Sequence, residues 1–189
     1  MAVVIIDDND NEIVNKVPLN LEAVKTIEGA FIKLASGQVR MPPVMQMMIE
    51  EWGGQTCIKS GYVKGDPFYV IKLASIFDRN PIVGLPGSSG LMLVLNAQTG
   101  FVDTILLDNG YLTAIRTAAA GAVAAKYLAP PDASAAAIIG AGKQARLQLQ
   151  ALLLVRKIQS ATVWARDHIA AKDFVRQMHK KTGIPISIS

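Results

Sequence analysis

One stretch limits more than any other what this chain can fold into. Residues 135–139 (AAAII) are small and apolar, and they run into Gly140-Ala141-Gly142-Lys143-Gln144-Ala145. A long amphipathic run follows, Arg146 to Arg156, and a β-rich run, Ala161 to Trp164, closes the unit. A G-x-G-x-x-A match gains its meaning from that setting of strand, turn, helix and strand. The first glycine permits a tight turn, the second lets a pyrophosphate come close to the backbone, and Ala145 lets helix and strand pack closely. The helix start adds unpaired N–H groups and the positive end of a dipole. Glycine turns of this kind also join strands to helices where no nucleotide binds, but here both flanks agree. The stretch therefore predicts a dinucleotide site, with Gly140, Ala141, Gly142, Lys143 and Gln144 as cofactor contacts.

Beyond it, His168 to Lys181 carries Ile169, Phe174, Val175 and Met178 at helical spacing, and Ile184 to Ile188 is a third β-type run. Strand, helix, strand, helix, strand is half of a doubly wound parallel sheet. Three parallel strands would leave an edge and an apolar face uncovered. The chain is thus expected to be the front part of a longer protein, or to need a partner to finish it.

Upstream the pattern changes. Ala2 to Ile6 is a short β-type run ended by an acidic turn, Asp7-Asp8-Asn9-Asp10. Leu21, Val24, Ile27, Phe31 and Leu34 fall three or four apart and predict a helix over 19–36, capped by Asn20 and stopped at Gly37. Met41 to Ile49 holds four of the seven methionines and reads as a strand at a subunit contact. Thr56–Val63 and Phe68–Ala74 flank Lys64-Gly65-Asp66-Pro67 and predict a hairpin. Residues 80–90 (NPIVGLPGSSG) read as a loop, and Leu91–Leu95 and Phe101–Leu107 as two further strands. Tyr111 to Leu128 is an alanine-crowded helix, interrupted by Arg116 one turn in. The expected fold is α/β: an N-terminal α+β domain over residues 1–115 with a mostly antiparallel sheet, then the first half of a Rossmann domain over 116–189. A sheet of that kind needs cover, which a second subunit could supply.

Composition excludes several classes. The chain has 189 residues, 51% of them hydrophobic, and a net charge of only +4 spread over both halves, so no nucleic-acid stripe is indicated. No run approaches the length of a membrane span, and the N-terminus lacks the form of a signal peptide. The single cysteine, Cys57, rules out an internal disulfide framework and reads as a small buried hydrophobe. His168 and His179 have no metal-ligand company and read as surface helix residues, so no metal site is expected. A soluble, cytoplasmic protein is expected. On local grounds an isolated Arg116 is more often a surface ion-pair partner, and strand lysines such as Lys59 and Lys72 more often face solvent. The apolar neighbours of Lys72 favour a partly buried amine suited to acid–base use.

Taken together, Ile71-Lys72, the stretch 78–100 (DRNPIVGLPGSSGLMLVLNAQTG), the signature 110–120 (GYLTAIRTAAA) and the Gly140-x-Gly142-x-Gln144-Ala145 turn resemble the ornithine cyclodeaminase/mu-crystallin family, and look most like its ectoine-utilisation cyclodeaminase branch. The resemblance runs along nearly the whole chain. It implies an NAD(P)-dependent homodimer acting on an amino acid or imino acid, with a substrate and dimerisation domain followed by a Rossmann domain. By the same resemblance Lys72 is the catalytic lysine and Arg116 the arginine that holds the substrate carboxylate, with Thr117 beside it as a cofactor contact. A planar guanidinium grips a carboxylate bidentately and so fixes the α-carbon for hydride transfer. The family's arginine after the Pro-Pro pair is replaced here by Val44; Arg40, before the pair, and Lys59 are the remaining candidates for substrate binding. At the end of the second Rossmann strand an acidic residue is replaced by Ala165, followed by Arg166. An arginine there suits a 2′-phosphate, which leans the cofactor towards NADP. The family's catalytic aspartate falls beyond Ser189. Three functions remain open: a cyclodeaminase, a dehydrogenase or ketimine reductase without cyclisation, and an inert ligand-binding protein like mu-crystallin.

Overall fold

A computed structural model describes residues 3–7 and 12–189, so Asp8, Asn9 and Asp10 of the expected acidic turn lie outside the described residues. The chain forms two compact units, one of Met1–Val17 with Ala30–Leu112, the other of Pro18–Gly29 with Thr113–Ser189.

The first unit is a seven-stranded sheet. Its strands are β1 (Val4–Asp7), β2 (Val39–Arg40), β3 (Met45–Ile49), β4 (Gly54–Val63), β5 (Phe68–Phe77), β6 (Ser88–Asn96) and β7 (Val102–Leu107), in the order β1-β7-β6-β5-β4-β2, with β3 also on β4. All pairs are antiparallel except β1 with β7. Turn chemistry fixes the hairpins. Between β4 and β5, Gly65 takes φ 90°. Between β6 and β7, Asn96 Oδ1 accepts from the backbone N–H of Gln98 (2.9 Å) and Thr99 (3.0 Å), closing the turn with its own side chain.

Several expectations need correction. β3 begins only at Met45, because Pro42 and Pro43 have no N–H to give a ladder. β6 begins at Ser88, three residues early, and the Pro-rich stretch before it contains a 3-10 turn, Asn80–Val83. A short helix α1 (Glu12–Lys16) that the sequence did not suggest buries Ile13. Cys57 is half-buried on β4 rather than buried.

Helix α2 (Leu21–Ala35) starts where Asn20 Oδ1 accepts the Ala23 N–H at 2.9 Å and ends at Gly37, φ 73°. Helix α3 (Tyr111–Leu128) starts on a buried carboxylate: Asp108, 2% exposed, accepts the Leu112 N–H at 2.7 Å. That bond satisfies one of the orphan donors of the first turn. Asp108→Ala should lower unfolding free energy by about 1–2 kcal/mol, and Asp108→Asn by less, in urea denaturation.

In the second unit β8 (Ala135–Ile139), β9 (Ser160–Trp164) and β10 (Ile186–Ile188) form a parallel sheet in the order β10-β9-β8, with α4 (Lys143–Leu153) and α5 (His168–Thr182) as the crossovers. One face packs on a core of Leu149, Ala161, Val163, Phe174 and Met178. A second core of small side chains, Val24, Ala118, Ala119, Ala122, Val123 and Ala151, joins the first half of α2, α3 and α4. Alanine at these positions lets the helices approach closely.

At its rim Glu28 receives Lys126 Nζ on both carboxylate oxygens, at 2.8 and 2.9 Å, and the Tyr127 hydroxyl. The hydrogen bond from Lys126, then that from Tyr127, holds the Glu28 carboxyl below the usual carboxylate range. A carboxyl depressed in the folded state stabilises above its unfolded pKa and loses that contribution as pH falls through the folded one. The stability difference between the protein and Glu28→Gln should therefore be full at neutral pH and shrink below about pH 4, as urea midpoints would show.

Candidate cofactor and carboxylate site

The turn after β8 is built by backbone constraint. Gly140 takes φ 101°, a region closed to most side chains, and its N–H donates to the Trp164 carbonyl at 2.7 Å. Gly142 is the N-cap of α4 and carries no capping side chain. A Cβ on Gly142 would meet nothing within 4 Å. The start of α4 thus has no side-chain cap and open space beside Gly142, and N–H groups at an uncapped helix start are of the kind that suit a phosphate. Lys143 is exposed at the same helix start.

The back of the turn is pinned by Arg146, whose Nη1 donates to the Ala141 carbonyl. Its Nη2 reaches Asp173 Oδ2 at 2.9 Å, its Nε reaches Gln177 at 3.1 Å, and the guanidinium lies 5.5 Å from the centre of the Phe174 ring. Hydrogen bonding, first from Arg176, keeps the Asp173 carboxyl below its ordinary range. This pin was missed from the sequence. The available signal was a basic residue in the first turn of a helix, where the dipole disfavours it unless a carboxylate neutralises it.

Ala165 is half-buried and Arg166 exposed at the end of β9. Asp167, the acidic residue nearest by, is the N-cap of α5: its Oδ1 accepts the N–H of Ile169 (2.8 Å) and of Ala170 (3.2 Å). Gln144, expected to face the cofactor, instead turns its amide to α3 and donates to the Ala114 carbonyl at 3.3 Å.

Arg116 lies on α3, exposed, and among the described residues no carboxylate pairs with it. The ion-pair role that local statistics favoured is therefore not seen. Next to it the Thr117 hydroxyl donates to the Thr113 carbonyl at 2.7 Å.

In the first unit the strand register sets Lys59 directly opposite Lys72, and Lys72 opposite Met92. Directly paired residues share a face, so the two lysines stand side by side. Lys72 is half-buried and Lys59 exposed. Arg40 pairs with Tyr62, three residues from Lys59, and alternation therefore puts it on the other face. The structure brings the two lysines together and leaves Arg40 out. Among the described residues no cluster of His, Cys, Asp or Glu could hold a metal, and no helix is long and apolar enough to cross a membrane.

Known proteins similar to this chain point to one family. An uncharacterized cyclodeaminase of Sinorhizobium fredii is 48% identical over 181 residues, covering 95% of this chain and 55% of that protein. The structure of Thermococcus litoralis Δ1-pyrroline-2-carboxylate reductase in complex with NADH and L-proline superposes with a TM-score of 0.90 at 32% identity, over 99% of this chain and 57% of that one. An archaeal alanine dehydrogenase dimer with bound NAD gives 0.90 at 31% identity, over 100% and 56%. The chain thus spans about half the length of the relatives it matches. The family profile matches residues 8–189, and the chain belongs to the ornithine cyclodeaminase/mu-crystallin family.

Proposed function

We propose that this chain is part of an NAD(P)-dependent enzyme that acts on an amino acid through an imine, cyclodeaminating a diamino acid such as ornithine to proline and ammonia. The observation that carries this reading is an uncapped helix start behind Gly142, in the same unit as an arginine that has no carboxylate partner among the described residues. A bound nicotinamide dinucleotide would accept a hydride and later return it. The backbone N–H groups at 140–145 and Lys143 hold its phosphates, with Thr117 a further contact. Arg116 grips the substrate carboxylate and orients the α-carbon. Lys72 moves a proton at the substrate amine, and Lys59 beside it adds positive charge for the carboxylate. The terminal amine of the substrate attacks the imine carbon, ammonia leaves, and the cyclic imine is reduced.

For the cofactor we favour NADP. Arg166 is exposed where a ribose phosphate would lie, Ala165 carries no carboxylate for a ribose hydroxyl, and one oxygen of Asp167 is already engaged in capping α5. A homodimer in the cytoplasm is part of the same proposal. Its support is the edge strand β3, where Met45, Met47 and Met48 are 63%, 57% and 56% exposed and expect cover.

A second reading, oxidation or reduction without cyclisation, is favoured by the resemblance to a reductase and an alanine dehydrogenase. Titration of the intact protein with NADPH and NADH, followed by nicotinamide fluorescence, should show saturable binding, tighter for NADPH. Incubation with L-ornithine and the oxidised nucleotide, NADP+ or NAD+, should then yield proline and ammonia with no net change in the nucleotide. A 2-oxo acid with net cofactor reduction would select the second reading, and no response to either nucleotide would end both.

A further inference from the structure

The alanine-rich helix α3 contains one glycine, Gly121, in its interior, where glycine weakens a helix relative to alanine. The structure gives a reason. A Cβ at Gly121 would stand 1.9 Å from Oε1 of Gln148, so the side-chain amide of Gln148 occupies the space that glycine leaves. From there Gln148 Nε2 donates to the Thr117 carbonyl at 3.1 Å and lies 3.5 Å from Gln144 Oε1. Gln144 Nε2 in turn donates to the Ala114 carbonyl at 3.3 Å. Gln144 and Gln148 are one turn apart on α4 and therefore face the same way. The two carbonyls they reach belong to residues 114 and 117, on either side of Arg116. Each carbonyl has a second lone pair, so the amide bonds add to those within the helix rather than replacing them.

We propose that Gln144 and Gln148 are positioning residues. They form a two-amide bridge that fixes the Arg116 segment of α3 against the helix that begins at the glycine turn. Gly121 is there to admit the bridge. The proposal rests on the roles given above to Arg116 and the turn. Its consequence is a coupling: a nucleotide that orders the start of α4 also orders the guanidinium that receives the substrate carboxylate.

Gln148→Met keeps the length of the side chain without its donors. Gly121→Ala leaves both glutamines in place, strengthens the helix by propensity, and displaces the Gln148 amide. In the intact protein, NADPH or NADH should slow amide exchange at the turn and also over residues 113–121. In both variants the protection at the turn should persist, with the nucleotide dissociation constant within about threefold of the parent, while protection over 113–121 is lost. For whichever of L-ornithine, L-alanine and L-proline is turned over, KM should rise about tenfold with kcat changed much less. Melting temperatures near the parent's should accompany both changes. Parental protection over 113–121 and parental KM in folded variants would overturn the bridge. So would a parallel loss of kcat, nucleotide affinity and melting temperature, since that would mark a purely structural contact. Failure of the parent itself to bind either nucleotide would instead strike the reading of the turn.

Discussion

Arg116→Met is expected to lower kcat/KM by about a thousandfold, the scale for removing one partner of a desolvated charge pair that also sets reacting geometry. The loss should fall in both kcat and KM, because the carboxylate is held in the ground state and must stay held during hydride transfer. Arg116→Lys should recover only part of it, since an ammonium offers a point charge where a guanidinium offers a planar fork. Stability is a built-in control. Arg116 is exposed, and among the described residues no carboxylate pairs with it, so its loss should shift unfolding free energy by no more than about 0.5 kcal/mol. Nucleotide affinity should also hold. A variant with near-parental kcat/KM would remove Arg116 from the reaction.

Gly142→Val is expected to weaken nucleotide binding by about a hundredfold or more while the protein stays folded. Backbone angles at Gly142 are φ −83° and ψ −171°, extended values that any residue adopts. A Cβ there meets no protein atom within 4 Å. The fold should therefore lose no more than about 1 kcal/mol, the difference between a good and a poor N-cap. Only a ligand pressed against the backbone would meet the added methyl groups. Gly140→Val makes the contrast. Its φ of 101° strains any side chain, at a cost of about 1–3 kcal/mol, so it should lower the melting temperature together with binding. If Gly142→Val bound nucleotide as tightly as the parent, the phosphates would have to lie elsewhere.

How much of this was legible in the sequence follows from how local each signal is. Helix α3 was readable to its end residues, and the 140–145 turn to its glycines, because both are written in neighbouring positions. The hairpin of β4 and β5 was readable from its turn. Its register, which sets Lys59 against Lys72, follows once that turn is placed. Other features depend on residues far apart in the chain. Asp108 reads as one more polar residue after a strand, until its carboxylate is seen under the start of α3. Gln144 reads as part of a nucleotide motif, although its amide is directed to another helix. The packing of residues 18–29 with 113–189 joins segments nearly a hundred positions apart, through Val24 and a set of alanines with no distinctive pattern. Ser88 and Ser89 carry turn-like chemistry, yet they pair with Ile76 and Ser75 because the neighbouring strand is long enough to extend the ladder.

The bond from Gly140 to the Trp164 carbonyl has a practical consequence. It fastens the backbone of Trp164, a residue 52% exposed, to the loop whose occupancy matters most. The chain has only one other tryptophan, Trp52, and it lies in the other unit. Trp52→Phe would leave a single tryptophan, next in the ladder to that loop, which can be excited selectively over the tyrosines. Quenching of its emission by a reduced nicotinamide would give an optical gauge of loading that needs no dye and no knowledge of the substrate.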